Sequence, residues 1–142
     1  MILADSSAWV EYDRATGSTV DERMHGLIHD RGPLMVTEPV VMEVTSGAHS
    51  DARERDLRRL MARFGLLRFD PVADFAAAAR LYRTCRRQGI TPRGLIDCMI
   101  AVVAWRNGAS LLAHDLDLAR IAPVLGIPLD EASLTESGRG RA

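Results

Sequence analysis

The stretch Met1-Ile2-Leu3-Ala4-Asp5-Ser6-Ser7 decides the fold. Its apolar residues run without alternation into a carboxylate and two hydroxyls, the pattern of a strand buried on both faces that stops at a polar turn. Outward from it the same unit recurs. Leu34-Met35-Val36 reads as a second buried strand, Leu66-Leu67-Arg68-Phe69 as a third and Ser110-Leu111-Leu112-Ala113 as a fourth, with Ile127-Pro128-Leu129 as a fifth at the sheet edge. Helices fill the intervals. One covers residues 18–30 with Ser18 as N-cap, one opens at Pro39 and ends at Gly47, and an amphipathic one spans Asp51 to Phe64. Another runs from Val72 to Gln88. The next is expected to take Thr91 as N-cap and Pro92 at its first position and to reach Asn107-Gly108, and a short one covers Leu118 to Leu125. Strands that alternate with helices specify an α/β fold, here a three-layer α/β/α sandwich around a central parallel sheet of four to five strands. Residues 1–134 are expected to form one domain and residues 135–142 a disordered tail.

Composition narrows the chemistry. The chain has 142 residues, 26% of them charged and 47% hydrophobic, with a formal net charge of −1, the balance of a globular domain. All 18 basic residues are arginine. Without lysine there is no P-loop phosphate site, no Schiff-base chemistry and no kinase catalysis. Near-zero net charge argues against tight non-specific DNA binding, because affinity for phosphates scales with the cations supplied. No apolar run is long enough to span a membrane, and Asp5 comes too early for a secretory signal, so a cytoplasmic protein is expected. Cys85 and Cys98 lack metal-ligand spacing and read as reduced, packed thiols.

Two helices carry anomalous acids. A single carboxylate interrupts Pro39-Val40-Val41-Met42-Glu43-Val44, and another interrupts the run from Leu95 through Asp97 to Val103. Both helices are apolar around most of their circumference and hence buried, where a lone carboxylate is costly unless it is paired, hydrogen-bonded or bound to metal. One reading pairs Asp97 with Arg93 and gives Glu43 a neighbouring helix N-terminus. Another takes the acids together: Asp5, Glu43, Asp97, Asp115 and Asp117 each stand at a strand end or early in a buried helix, and a parallel sheet directs such positions to one crevice. Clustered carboxylates without lysine call for a hard divalent cation, Mg²⁺ or Mn²⁺ rather than zinc. The chemistry that uses such a cluster is phosphoryl transfer, with water as the attacking group in hydrolysis.

At this level the residues resemble a family. Met1 to Trp9 is similar to the opening motif of PIN-domain ribonucleases, and Glu38-Pro39-Val40-Val41-Met42-Glu43-Val44 resembles their second motif. Arg93-Gly94-Leu95-Ile96-Asp97-Cys98 resembles the third, and His114-Asp115-Leu116-Asp117 the fourth. Order, spacing and length resemble the VapC toxins of bacterial toxin–antitoxin pairs over about residues 1–134. The resemblance implies a PIN-like sandwich and a metal site formed by the acids Asp5, Glu43, Asp97 and Asp115, supported by Asp117 and braced by Ser7. It further implies a homodimer, a VapB-like antitoxin as partner, and Mg²⁺-dependent cutting of RNA. His114 and Leu116 stand where family members often carry arginine.

The mechanism expected from these residues is hydrolysis of an RNA phosphodiester. Asp5, Asp97 and Asp115 hold the metal, Glu43 orients water, and the products carry 5′-phosphate and 3′-hydroxyl ends. Arg93 is expected to orient Asp97 or a substrate phosphate. Arg83, Arg86 and Arg87, uncompensated by nearby acids, are the candidates for RNA phosphates. Arg53, Arg55, Arg58, Arg59 and Arg63 interleave with Asp51, Glu54 and Asp56 and read as a solvated or protein-docking face. Trp9 and Tyr12 read as core or dimer contacts more readily than as base-stacking platforms. Two alternatives belong to other classes. A metal-dependent phosphatase would want Asp-x-Asp after the first strand, where residue 7 is serine. A catalytically silent PIN-like binding module would be expected to have lost acids from the set, and none is lost.

Overall fold

A computed structural model describes residues 1–136; residues 137–142, which hold most of the expected tail, lie outside the described residues. Strands β1 (Ile2–Ala4), β2 (Leu34–Val36), β3 (Gly65–Leu66) and β4 (Ser110–Leu112) form one sheet in the order β3-β2-β1-β4, and every pair is parallel. Ile2 stands opposite both Leu34 and Ser110, so β1 sits inside the sheet. Its residues are fully or nearly fully buried, which is why they are apolar without alternation.

Seven helices cover the sheet among the described residues: α1 (Ser6–Asp13), α2 (Thr19–His29), α3 (Glu38–Ser46), α4 (Asp51–Met61), α5 (Asp74–Arg87), α6 (Leu95–Asn107) and α7 (Leu116–Leu125). Ser18 caps α2 by accepting from the Asp21 amide, and Ser50 caps α4 by accepting from that of Arg53. Gly47 ends α3, and Gly108 ends α6 in the left-handed region at φ 65°. Helix α6 forms the centre of the core: Cys98 and every residue from Ile100 to Ala104 are buried. Burial of each of its large aliphatic side chains contributes about 1.5–3 kcal/mol. Burial also pushes the Cys98 thiol up to about 12, with Cys85 and Asp97 adding to the effect, so this sulfur stays a packed thiol.

The sequence-based boundaries need four corrections. The third strand occupies Gly65–Leu66 rather than 66–69, because the Glu38 carboxylate takes the Phe69 amide at 2.9 Å and draws the chain out of the sheet. The fifth strand reduces to one bridge between Leu111 and Leu129, where Leu111 bonds Pro128 and Asp130 in turn and the proline offers no donor. Helix α7 opens at Leu116 on an Asp115 cap, ahead of the expected Leu118. Helix α6 begins at Leu95 with Gly94 as N-cap, so neither Thr91 nor Pro92 opens it. Arg93 explains that shift: its backbone amide and guanidinium are both tied to Asp117, and the turn ahead of α6 follows them. The bounds of α1 come from the structure alone; Asp5 caps it and Ala15, at φ 50°, turns the chain after it.

Helices α5 and α6 run antiparallel. Arg106, at the end of α6, forks onto Asp74 at the start of α5 through bonds of 2.9 and 2.7 Å. The carboxyl end of α5 therefore lies at the same end of the molecule as the amino end of α6. Among the described residues no helix is long and apolar enough to cross a membrane.

Candidate metal centre

The strand order turns at β1: the chain moves from β1 to β2 and β3 on one side, then returns to β4 on the other. At such a switch point the loops leaving adjacent strands diverge and open a crevice. Asp5 leaves β1 there, and His114 and Asp115 follow β4.

Asp5 is 2% exposed and caps α1. Its Oδ2 accepts from the Ser7 amide at 3.1 Å and from the Ser7 hydroxyl at 2.7 Å. The Ser7 oxygen in turn accepts from the His114 amide at 2.8 Å, so one hydroxyl links the ends of β1 and β4. Asp5 Oδ1 is buried without a hydrogen-bond partner. A buried carboxylate oxygen in that state is costly, and the cost is removed by a cation.

Glu43, midway along α3, accepts from the Ser6 hydroxyl through Oε1 at 2.6 Å. Asp97 lies in the first turn of α6. One oxygen from each of Asp5, Glu43 and Asp97 falls within 4.8 Å of the others, a spacing that a single ion can bridge. The donors are all hard oxygens, which fits Mg²⁺ or Mn²⁺. Desolvation raises Asp97 from the ordinary 3.8 to about 7, and the charges of Asp5, Asp115, Glu43 and Asp117 add to it. Desolvation likewise raises Asp5 to about 6 against the opposing hydrogen bonds of Ser7, with Glu43 adding to the rise. Two carboxyl groups held this high have no positive charge paired with them.

Asp115 and Asp117 stand differently. Asp115 caps α7, its Oδ1 accepting from the Asp117 amide and from Arg93 Nη2, both at 2.9 Å. Asp117 Oδ2 accepts from Arg93 Nε at 2.8 Å and from the Arg93 amide at 3.1 Å. Burial acts to raise Asp117, but the bonds and charge of Arg93 outweigh it and its carboxyl lies below the usual range. Arg93 therefore serves Asp115 and Asp117, and the pairing of Asp97 with Arg93 does not form. Asp97 is left with like charges around it.

A PIN domain model matches residues 2–123. The chain belongs to the PIN-domain family. Over 128 residues it is 41% identical to Ribonuclease VapC11 of Mycobacterium tuberculosis and, to the same extent, to VapC ribonuclease Mb1587 of Mycobacterium bovis. Each match covers 89% of this chain and 96% of the relative, so this PIN domain belongs with the VapC-type members. Among solved structures, VapBC2 from Rickettsia felis bound to a DNA fragment from its promoter superposes with a TM-score of 0.69 at 14% identity, over 94% of this chain and 99% of that one. FitAcB from Neisseria gonorrhoeae gives 0.68 at 17% identity, over 93% and 98%. At these identities the likeness is one of fold.

The PIN domain brings together the trio Asp5, Glu43 and Asp97, sets Ser7 behind Asp5, and places Asp115 and Asp117 beside the trio under Arg93. Arg83, Arg86 and Arg87 line one open concavity on the last turns of α5. The Arg86 guanidinium lies over the Tyr82 ring at 5.8 Å, and Arg87 Nη2 donates to Thr84 at 3.2 Å. Trp9 is 2% exposed against Phe64 and is a core residue. Tyr12 packs on His25. His114 approaches Glu11 at 3.4 Å. Sequence reasoning misses Ser6, whose hydroxyl holds Glu43; the available signal is its place directly after a strand-ending aspartate, where a helix starts with a free side chain pointing into the crevice.

Proposed function

We propose that the chain is a divalent-metal-dependent endoribonuclease of the VapC type, a toxin held in check by a VapB-like antitoxin. The observation that carries this reading is the trio Asp5, Glu43 and Asp97 around the unpartnered, buried Asp5 Oδ1. When bound there, Mg²⁺ or Mn²⁺ supplies an acidified water for attack and positive charge for the phosphate. Asp5 and Asp97 are the direct holders, and Asp115 adds its charge beside Asp97. Glu43, steadied by Ser6, orients the attacking water and takes its proton. Ser7 keeps Asp5 in place from behind. Because water attacks rather than the ribose 2′-hydroxyl, the products carry 5′-phosphate and 3′-hydroxyl ends.

Arg83, Arg86 and Arg87 are proposed to hold phosphates of the RNA strand. The antiparallel packing of α5 on α6 supports this, since it brings the arginine-bearing end of α5 to the Asp97 end of α6. A second copy of the chain is proposed from the family resemblance, and an antitoxin from the VapBC complexes; the antitoxin would bring an arginine or a blocking carboxylate to the acid pocket, which is a trap for guanidinium groups. Incubation of a structured RNA with Mg²⁺ or with EDTA, beside Asp97→Asn, tests the activity. Cleavage that needs the metal and Asp97 is expected. Cleavage indifferent to both would overturn the reading, and no cleavage of any RNA by well-folded, metal-bound protein would favour a silent binding module.

A further inference from the structure

The acid pocket has two halves, and they differ in one respect. The inner half holds Asp5, Glu43 and Asp97, with no basic group bonded to them among the described residues, and Asp5 Oδ1 is buried and unpartnered. The outer half holds Asp115 and Asp117, and a cation already sits on it: Arg93 bonds Asp117 through Nε at 2.8 Å and Asp115 through Nη2 at 2.9 Å. The guanidinium takes one oxygen from each carboxylate, much as a bridging metal ion would. Three carboxylates with one divalent ion carry −1. Two carboxylates with one arginine also carry −1.

We propose that Arg93 is a built-in cation that fills the outer half of the acid pocket, so that this chain binds one divalent ion, held by Asp5 and Asp97 beside Glu43, where the acids alone would hold two. The proposal rests on the metal-dependent reading above and adds the number of ions to it. Paired-metal sites need carboxylates shared between ions roughly 3.5–4 Å apart. Asp115 stands at the head of α7, where its charge acts on Asp97, and its Oδ1 is taken by Arg93 and the Asp117 amide. Arg93 makes these bonds from a side chain that is 76% exposed, so its removal exposes the outer carboxylates without opening a hole in the core.

The experiment counts bound Mn²⁺ per chain, by titration calorimetry and by the EPR signal of free Mn²⁺, for wild type, Arg93→Ala and Arg93→Lys. One ion is expected for wild type, two for Arg93→Ala and one for Arg93→Lys, since a lysine restores the charge without restoring the fork. Arg93→Gln repeats the measurement if the alanine variant melts early. Two ions on the wild type, or one on Arg93→Ala, overturns the assignment to Arg93 and leaves the inner site standing. No ion on any of the proteins overturns the metal reading itself, and this inference with it.

Discussion

Asp97→Asn is expected to stabilise the metal-free protein, and the structure sets the size of the gain. Asp97 is raised from 3.8 to about 7, so its ionised form is disfavoured in the fold relative to the unfolded chain. At roughly 1.4 kcal/mol for each factor of ten in proton affinity, that difference amounts to about 4 kcal/mol once the group is ionised. Asp97 is only partly buried, and water at its open side lessens both the desolvation and the repulsion, so about 2 kcal/mol is the expected effect. The direction with pH follows from proton counting. Between the ordinary value and about 7 the fold holds a proton that the unfolded chain has released, so stability falls as pH rises across this window. Asparagine has no proton to lose. In EDTA, the variant and the wild type should melt together below about pH 4 and part progressively up to about pH 7, the variant ending roughly 4–8 °C higher. Thermal melts by circular dichroism across that range, with both proteins in matched buffers, make the test. A variant that melts below wild type at pH 8 would mean that the Asp97 charge has a stabilising partner, and the repulsive pocket would be refuted.

Saturating Mn²⁺ should raise the wild-type stability by about 2.7 kcal/mol at a hundred times the dissociation constant and raise Asp97→Asn much less, as read from the same melts. Ser7→Ala leaves Asp5 Oδ2 and the His114 amide each short of a bond, and should cost about 1–3 kcal/mol in urea unfolding; Ser7→Thr should recover most of it. Arg106→Ala strips the buried Asp74 of its forked partner and should cost about 3 kcal/mol by the same assay. Replacing Arg83, Arg86 and Arg87 by alanine in an Asp97→Asn background should flatten the salt dependence of single-stranded RNA binding, by about 0.7 in log–log slope for each phosphate no longer neutralised. An unchanged slope would move the RNA track elsewhere.

Much of the architecture follows from patterns a few residues long. The buried runs at 2–4, 34–36 and 110–112 contain no polar residue inward of their ends, and their shortness sets them apart from the longer apolar run that α6 carries at Ile100 to Ala104. The lone acids in α3 and α6 are legible as a site for the same reason: each spoils an otherwise apolar surface. What stays hidden depends on groups far apart in sequence. Spacing alone makes Arg93 a partner for Asp97 one helical turn away, because Pro92 looks like a first helical residue. The long-range pull of Asp117 on both the backbone and the side chain of Arg93 starts the helix later and leaves Asp97 alone. The third strand is overestimated because Leu66 to Phe69 is apolar enough to continue, and only the Glu38 carboxylate, remote in sequence, ends it. The hydroxyl of Ser6 gives no periodic signal at all; its role appears once α3 is laid beside α1.

The serine hydroxyl that joins the two strand ends also has a meaning in time. Ser7 and His114 are separated by 107 positions, and the β1 partner Ser110 lies just as far along the chain. Once β1 has been synthesised, it must wait for β4 before the sheet around Asp5 closes. At cellular synthesis rates of about 5–20 residues per second, that interval is roughly 5–20 s. Throughout it a nascent chain holds Asp5, and soon Glu43, but has nothing to seal the β4 side of the crevice. A protein built this way cannot acquire its acid pocket until β4 has been made, and a truncated copy that stops before β4 never acquires it.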